Sequence, residues 1–86
     1  MSRGDPLPPL PSEPVPGLYR HYKGNLYEVV GLVRHSEELA PYVLYRPLDE
    51  RRQPVEGTLW VRPHRMWSEP VEHAGRVTPR FAPVAA

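Results

Sequence analysis

The chain has no cysteine, so neither a disulfide staple nor thiolate chemistry is open to it. No apolar run approaches the length of a membrane span, and the proline-rich start lacks the apolar core of a signal peptide. The expected compartment is the cytoplasm, with no membrane partner. Neither sign of charge dominates: eleven Lys/Arg against ten Asp/Glu leave +1. Within residues 17–81 the balance is ten against eight, or +2. That is not the strongly basic footprint of a non-specific nucleic-acid binder.

Motifs of catalysis and cofactor binding are also missing. Lys23-Gly24 is no phosphate loop, because the glycine-rich approach and the helix behind it are absent. The four histidines, His21, His35, His64 and His73, lack the close pairing a zinc site requires. No metal and no cofactor is expected. Ser36 adjoins His35 near Glu37 and Glu38, but adjacent residues on an extended chain point in opposite directions. There is no G-x-S-x-G elbow either, so Ser36 reads as a turn or capping residue. Glu28 and Glu37 form no acid/base pair, and Glu28 is expected to pair across strands with an arginine. No catalytic residue is assigned, and the chain is read as not an enzyme.

Proline, in contrast, is abundant, with six in the first sixteen residues. Residues 1–16 are read as a tail, extended in polyproline II or disordered. Met1–Pro11 is expected to lack regular structure and to be dispensable for folding. Residues 17–81 form the single domain, and residues 82–86 a C-terminal tail. A unit of roughly 65 residues buries only about 60% of the surface its unfolded chain exposes. Most of its large apolar side chains are then needed in the core, and few are left to line a deep pocket.

Tyr19–Arg34, YRHYKGNLYEVVGLVR, reads as two strands joined at Lys23-Gly24-Asn25, where glycine and asparagine tolerate positive φ. Gly31 interrupts the second strand and predicts a bulge or bend that can change which residues point inward. Further strands are expected at Tyr42–Arg46, Thr58–Arg62 and Glu69–Glu72. Pro79 restricts Val77–Phe81 to an edge. Residues 47–57 read as a long charged loop, and His64–Trp67 as one 3₁₀ turn. Five short strands with turns between them suggest an all-β domain, a small barrel or curled antiparallel sheet, with at most short helical turns. The expected core is Leu18, Tyr27, Val29, Val43, Leu59, Val61 and Val71. With Leu59 and Val61 inward, the pleat sends Trp60 and Arg62 outward.

YRHYKGNLYEVV, RHSEEL, YVLYRPL, LWVRPHRMW and PRF, in that order, resemble the bacterial family called domain of unknown function 1653. The resemblance covers about residues 19–81. It implies a compact, mostly β, SH3-like barrel and implies no activity. The segment Asp49–Gly57 is longer than that pattern, and the proline-rich tail precedes its usual start.

The constellation that stands out is aromatic and basic. Arg20, Arg34, Arg46 and Arg62 sit at or near strands, interleaved with Tyr22, Tyr42, Tyr45, Trp60 and Trp67. Guanidinium over aromatic rings suits peptide carboxylates and planar groups. The candidate ligand-binding face is Arg34, His35, Arg46, Trp60 and Arg62. The first reading is a non-catalytic interaction module for a protein or peptide partner. The alternative is a nucleic-acid-binding barrel using the same face, and an enzyme ranks third. Oligomeric state is not readable from the residues.

Overall fold

The computed structural model describes residues 7–85. The first part of the proline-rich tail, residues 1–6, and Ala86 lie outside the described residues. The elements run β1 (Gly17–His21), β2 (Leu26–Arg34), β3 (Pro41–Pro47), β4 (Trp60–Pro63), α1 (His64–Trp67), β5 (Pro70–His73), β6 (Arg76–Pro79) and β7 (Phe81–Pro83). The domain is almost entirely β. Its helix α1 is a single turn, α-helical where the sequence suggested 3₁₀. Among the described residues no helix is long and apolar enough to cross a membrane.

Five strands form one antiparallel sheet in the order β4-β3-β2-β1-β7, and β5 and β6 form a separate hairpin. The sheet is not closed, since β4 and β7 each pair on one side only. It is nevertheless curled. β4 and β7 lie four strand spacings apart, about 19 Å in a flat sheet. Yet the Arg62 guanidinium of β4 sits 5.5 Å from the Phe81 ring centre of β7.

The β1–β2 turn is built on Gly24 at φ 107°, with the His21 N–H donating to the Asn25 carbonyl at 2.8 Å. The predicted irregularity in β2 is present. Its register against β3 slips between Val29 and Gly31, leaving Val30 exposed. Because one residue is spare, Val29 and Leu32 both reach the core face although they are an odd number apart. The 48–57 loop closes on itself. Asp49 Oδ1 accepts from the Arg51 and Gln53 N–H groups at 2.8 and 2.9 Å, and Leu48 bridges Pro54.

The core is Tyr19, Val29, Val43, Tyr45, Trp67 and Phe81, with Tyr27 and Leu32 packed against it. Val29 and Val43 are buried as expected and Tyr27 packs against the core, but four residues named for it, Leu18, Leu59, Val61 and Val71, are not in it, Val71 lying in the separate β5–β6 hairpin. Leu59 and Val61 are 58% and 54% exposed. The register explains this: Tyr45 pairs with Trp60 and Val43 with Arg62. Directly paired residues share a face, so Trp60 and Arg62 share the core face and Leu59 and Val61 the outer one. Leu18 pairs with Glu28, and its neighbour Tyr19 takes the inward place. On a strand with apolar residues in both parities, alternation alone cannot choose; filling a wide curled sheet favours the larger rings.

Two further boundaries move. Val77–Phe81 is not one edge segment. It divides at Arg80 into β6, within the hairpin, and β7, which pairs with β1. β7 runs to Pro83, and the Val84 N–H donates to the Leu18 carbonyl at 2.9 Å. The folded unit therefore extends beyond residue 81 into the expected C-terminal tail.

The tail from residue 7 to residue 16 has neither helix nor strand, but it lies against the domain. Pro14, after a cis peptide bond, is buried. His64 Nε2 donates to the Glu13 carbonyl at 2.7 Å, and the Tyr19 hydroxyl to the Val15 carbonyl at 2.8 Å. Tail and domain together line an open cleft of about 410 Å³, walled by Pro14, Tyr19, His64 and Trp67 among others.

Candidate binding face

The core face carries a continuous set of rings. Trp67 plugs it from α1, stacked on Phe81 at 3.7 Å and edge-on to Tyr19 and Tyr45 at 5.6 and 5.2 Å. Tyr45 leads outward to Trp60 at 6.0 Å, and Tyr27 reaches both Tyr45 and Trp60, at 5.7 and 6.5 Å. His21 closes the set against Phe81 at 5.0 Å and Tyr27 at 6.2 Å. Edge-to-face contacts within about 7 Å are the favourable arrangement for such rings.

The set is covered at one end and open at the other. Trp67 is 3% exposed and Trp60 45%. β4 is a sheet edge, so no strand beyond it shields Trp60. Arg62, the next residue on the same face, donates from Nε to the Tyr45 hydroxyl at 3.4 Å and lies over Phe81.

Positive charge gathers around His21. Burial lowers the pKa of His21 below the usual imidazole value, and Arg62, Arg80 and Lys23 lower it further. Its Nδ1 accepts from the Lys23 N–H at 3.2 Å, which puts the proton of the neutral ring on Nε2. Arg80 is paired with Glu69 at 2.9 Å. Among the described residues Arg62 has no carboxylate partner.

The five residues named from the sequence do not form one face. Trp60 and Arg62 are together on the core face. Arg34 is on that face too, but two strands away at the far end of β2. There it donates to the carbonyls of Leu39, at 3.5 Å, and Pro8. His35 is a turn residue: its Nδ1 accepts from the N–H groups of Glu37 and Glu38 at 3.2 and 3.1 Å. With that lone pair engaged, its 3.8 Å approach to Glu38 is not an ion pair. Arg46 is on the opposite face, bound to Glu28 at 2.7 Å, the cross-strand pair expected of Glu28.

Sequence reasoning missed Tyr27 as a neighbour of Trp60, and Phe81 and His21 as the rings behind Tyr27. The i, i+2 spacing of Tyr45 and Val43 hinted at a shared face, but only the register joins it to Trp60. Among the described residues no group of His, Asp and Glu is arranged to hold a metal ion.

The family model described as Protein of unknown function (DUF1653) matches residues 17–83. No curated protein matches the chain. Among solved structures, the chain is similar to the crystal structure of a DUF1653 protein from Bordetella bronchiseptica. They are 38% identical, with 81% of this chain and 86% of that one covered and a TM-score of 0.71.

Proposed function

The chain belongs to the DUF1653 family, a membership that names no activity, and we propose from its geometry that it is an interaction module for a protein segment. The observation that carries this reading is Trp60, 45% exposed on the face that holds the core, with Arg62 beside it. A large ring already flanked by Tyr27 and Tyr45 is a half-built pocket. Trp, Tyr and Arg at such a place are the residue types that dominate protein-binding energetics. Of the five residues proposed from the sequence, Trp60 and Arg62 are retained. Tyr27, Tyr45 and Phe81 replace the other three.

Panning a random peptide display library against the full chain and against Trp60→Ala tests the reading. Recovered peptides should bind wild type and weaken about thirtyfold on Trp60→Ala, as for a hot spot of about 2 kcal/mol. Peptides equally tight on both proteins would dismiss this face. Oligothymidylate that binds through Trp60 and is displaced by salt would replace the peptide reading with a nucleic-acid one.

A further inference from the structure

The main-chain polarity of β4 is set by its neighbours. The Leu48 N–H donates to the Leu26 carbonyl at 3.0 Å, on the β2 side of β3. The Val55 N–H donates to the Pro47 carbonyl at 3.1 Å, on the other side. Main-chain groups alternate along an antiparallel strand. Even-numbered residues of β3 therefore bond to β2, and Val43 and Tyr45 bond to β4. Their partners are Arg62 and Trp60. Val61, between those two, turns both its N–H and its C=O to the free edge. Pro63, next in the same parity, has no N–H to lose there.

Among the described residues no backbone group outside the ladder bonds to Val61. The side chains are as bare as the main chain. Leu59 and Val61 are exposed on the outer face, and Trp60 on the core face. An apolar strand edge open on both faces is a template for another strand; proteins ordinarily guard such edges with charge, proline or a covering element, and here Arg62 and Pro63 guard only the C-terminal half of β4.

We propose that β4 receives an extended segment of a partner protein by strand addition at Val61, with an acidic side chain set toward Arg62 and β-branched side chains set against Leu59 and Val61. This rests on the protein-binding reading of the Trp60 face and supplies its mode. The acidic residue is dictated by charge: Arg62, on the core face of β4, has no carboxylate partner among the described residues. Length favours a short peptide over a second copy of this chain. Leu59–Val61 spans about 10 Å of edge, little of what a stable dimer interface of roughly 1,200 Å² requires. In strand addition the main chain supplies affinity and alternate side chains supply specificity.

The probe is an array of capped ten-residue peptides that alternate Val or Thr with Glu, Ile or Tyr, each with a matched member carrying Lys in place of Glu. Binding is read by fluorescence anisotropy and by amide shifts of the full chain. The Glu members should bind better than the Lys members and shift the amides of Leu59–Arg62. Val61→Pro removes one free N–H without touching the β3 ladder or the side chains of Trp60 and Arg62. It should weaken binding about tenfold or more, the scale of a lost backbone hydrogen bond with an unsatisfied acceptor. Val61→Thr should not. Should Val61→Pro unfold, N-methylation along the peptide replaces it, with losses expected at alternate positions only.

Peptides that depend on Trp60 but are indifferent to Val61→Pro and to N-methylation would overturn strand addition and leave the Trp60 face standing. Peptides indifferent to both would overturn both readings, as would an array with no binders. Dimerisation abolished by Val61→Pro would assign the edge to a second copy and overturn the proposal.

Discussion

The two tryptophans are seven residues apart and meet opposite fates. Trp67 is stacked on Phe81 and edge-on to Tyr19 and Tyr45, under a tail that buries Pro14. Trp60 touches two of the same kind of ring and is left half in water. The Trp67 ring and the tail cover Phe81 and Tyr19, while among the described residues no strand pairs with the outer edge of β4. The same residue type is thus structure at one end and available surface at the other. The local path of the chain makes the difference. α1 turns Trp67 back onto the sheet, whereas Trp60 stays on the edge strand itself.

The sharpest way to break this contrast is to truncate each ring. Trp67→Ala should cost about 3–5 kcal/mol, as for a buried aromatic. In a domain with a total stability of about 5–15 kcal/mol, that is enough to populate the unfolded state at ambient temperature. Trp60→Ala should cost under about 1.5 kcal/mol, because half of the ring is already solvated. Urea titrations of the two variants compare them directly, and equal losses would erase the distinction.

The tail comes next. Deleting residues 1–14 removes the buried Pro14 and the Glu13 carbonyl that His64 holds. It should cost about 1–3 kcal/mol, or roughly 10 °C in melting temperature. An unchanged melting curve would restore the tail to a mere spacer, the dispensable role its composition suggests.

On the open side, Leu59→Ala should change stability by no more than about 0.5 kcal/mol, since its side chain already faces water. A loss near that of a core leucine would mean that β4 is turned the other way.

The smallest expected effect is a pH dependence at His21, which lies between the two ends. Its folded pKa is depressed by burial and by Arg62, Arg80 and Lys23. The unfolded chain therefore takes up the proton first. Stability from this source is complete above about pH 6.5 and is lost as pH falls through the depressed value. Melting temperature should fall between about pH 7.5 and pH 5.5, and less steeply in His21→Phe. Parallel profiles would remove His21 from the account.

Much of the fold was legible because it rests on local signals. Gly24 and Asn25 marked the first turn, Gly31 the bulge, and the prolines the ends of strands. The family resemblance carried by YRHYKGNLYEVV, YVLYRPL and LWVRPHRMW pointed to a compact, mostly β domain, though the barrel it implied is an open curled sheet here. The candidate site was half legible: Trp60 and Arg62 stand together, while Arg46 went to the opposite face with Glu28 and His35 into a local turn. Arginine has the same letter whether it meets a ligand or a cross-strand glutamate. Only its register partner distinguishes the two.

What the sequence by itself determined is therefore the first strands, the first turn and the spare residue in β2, because each depends on backbone preferences within a few residues. The tertiary structure decided which parity of β4 faces the core. Leu59-Trp60-Val61-Arg62 offers an apolar residue in both parities, and a one-residue change of register would exchange its two faces. The pairing of Tyr45 with Trp60 settles that choice. It sets the rings on the core face and leaves Leu59, Val61 and the free main chain of Val61 on an open edge, an outcome fixed by contacts across the sheet that no stretch of the chain contains.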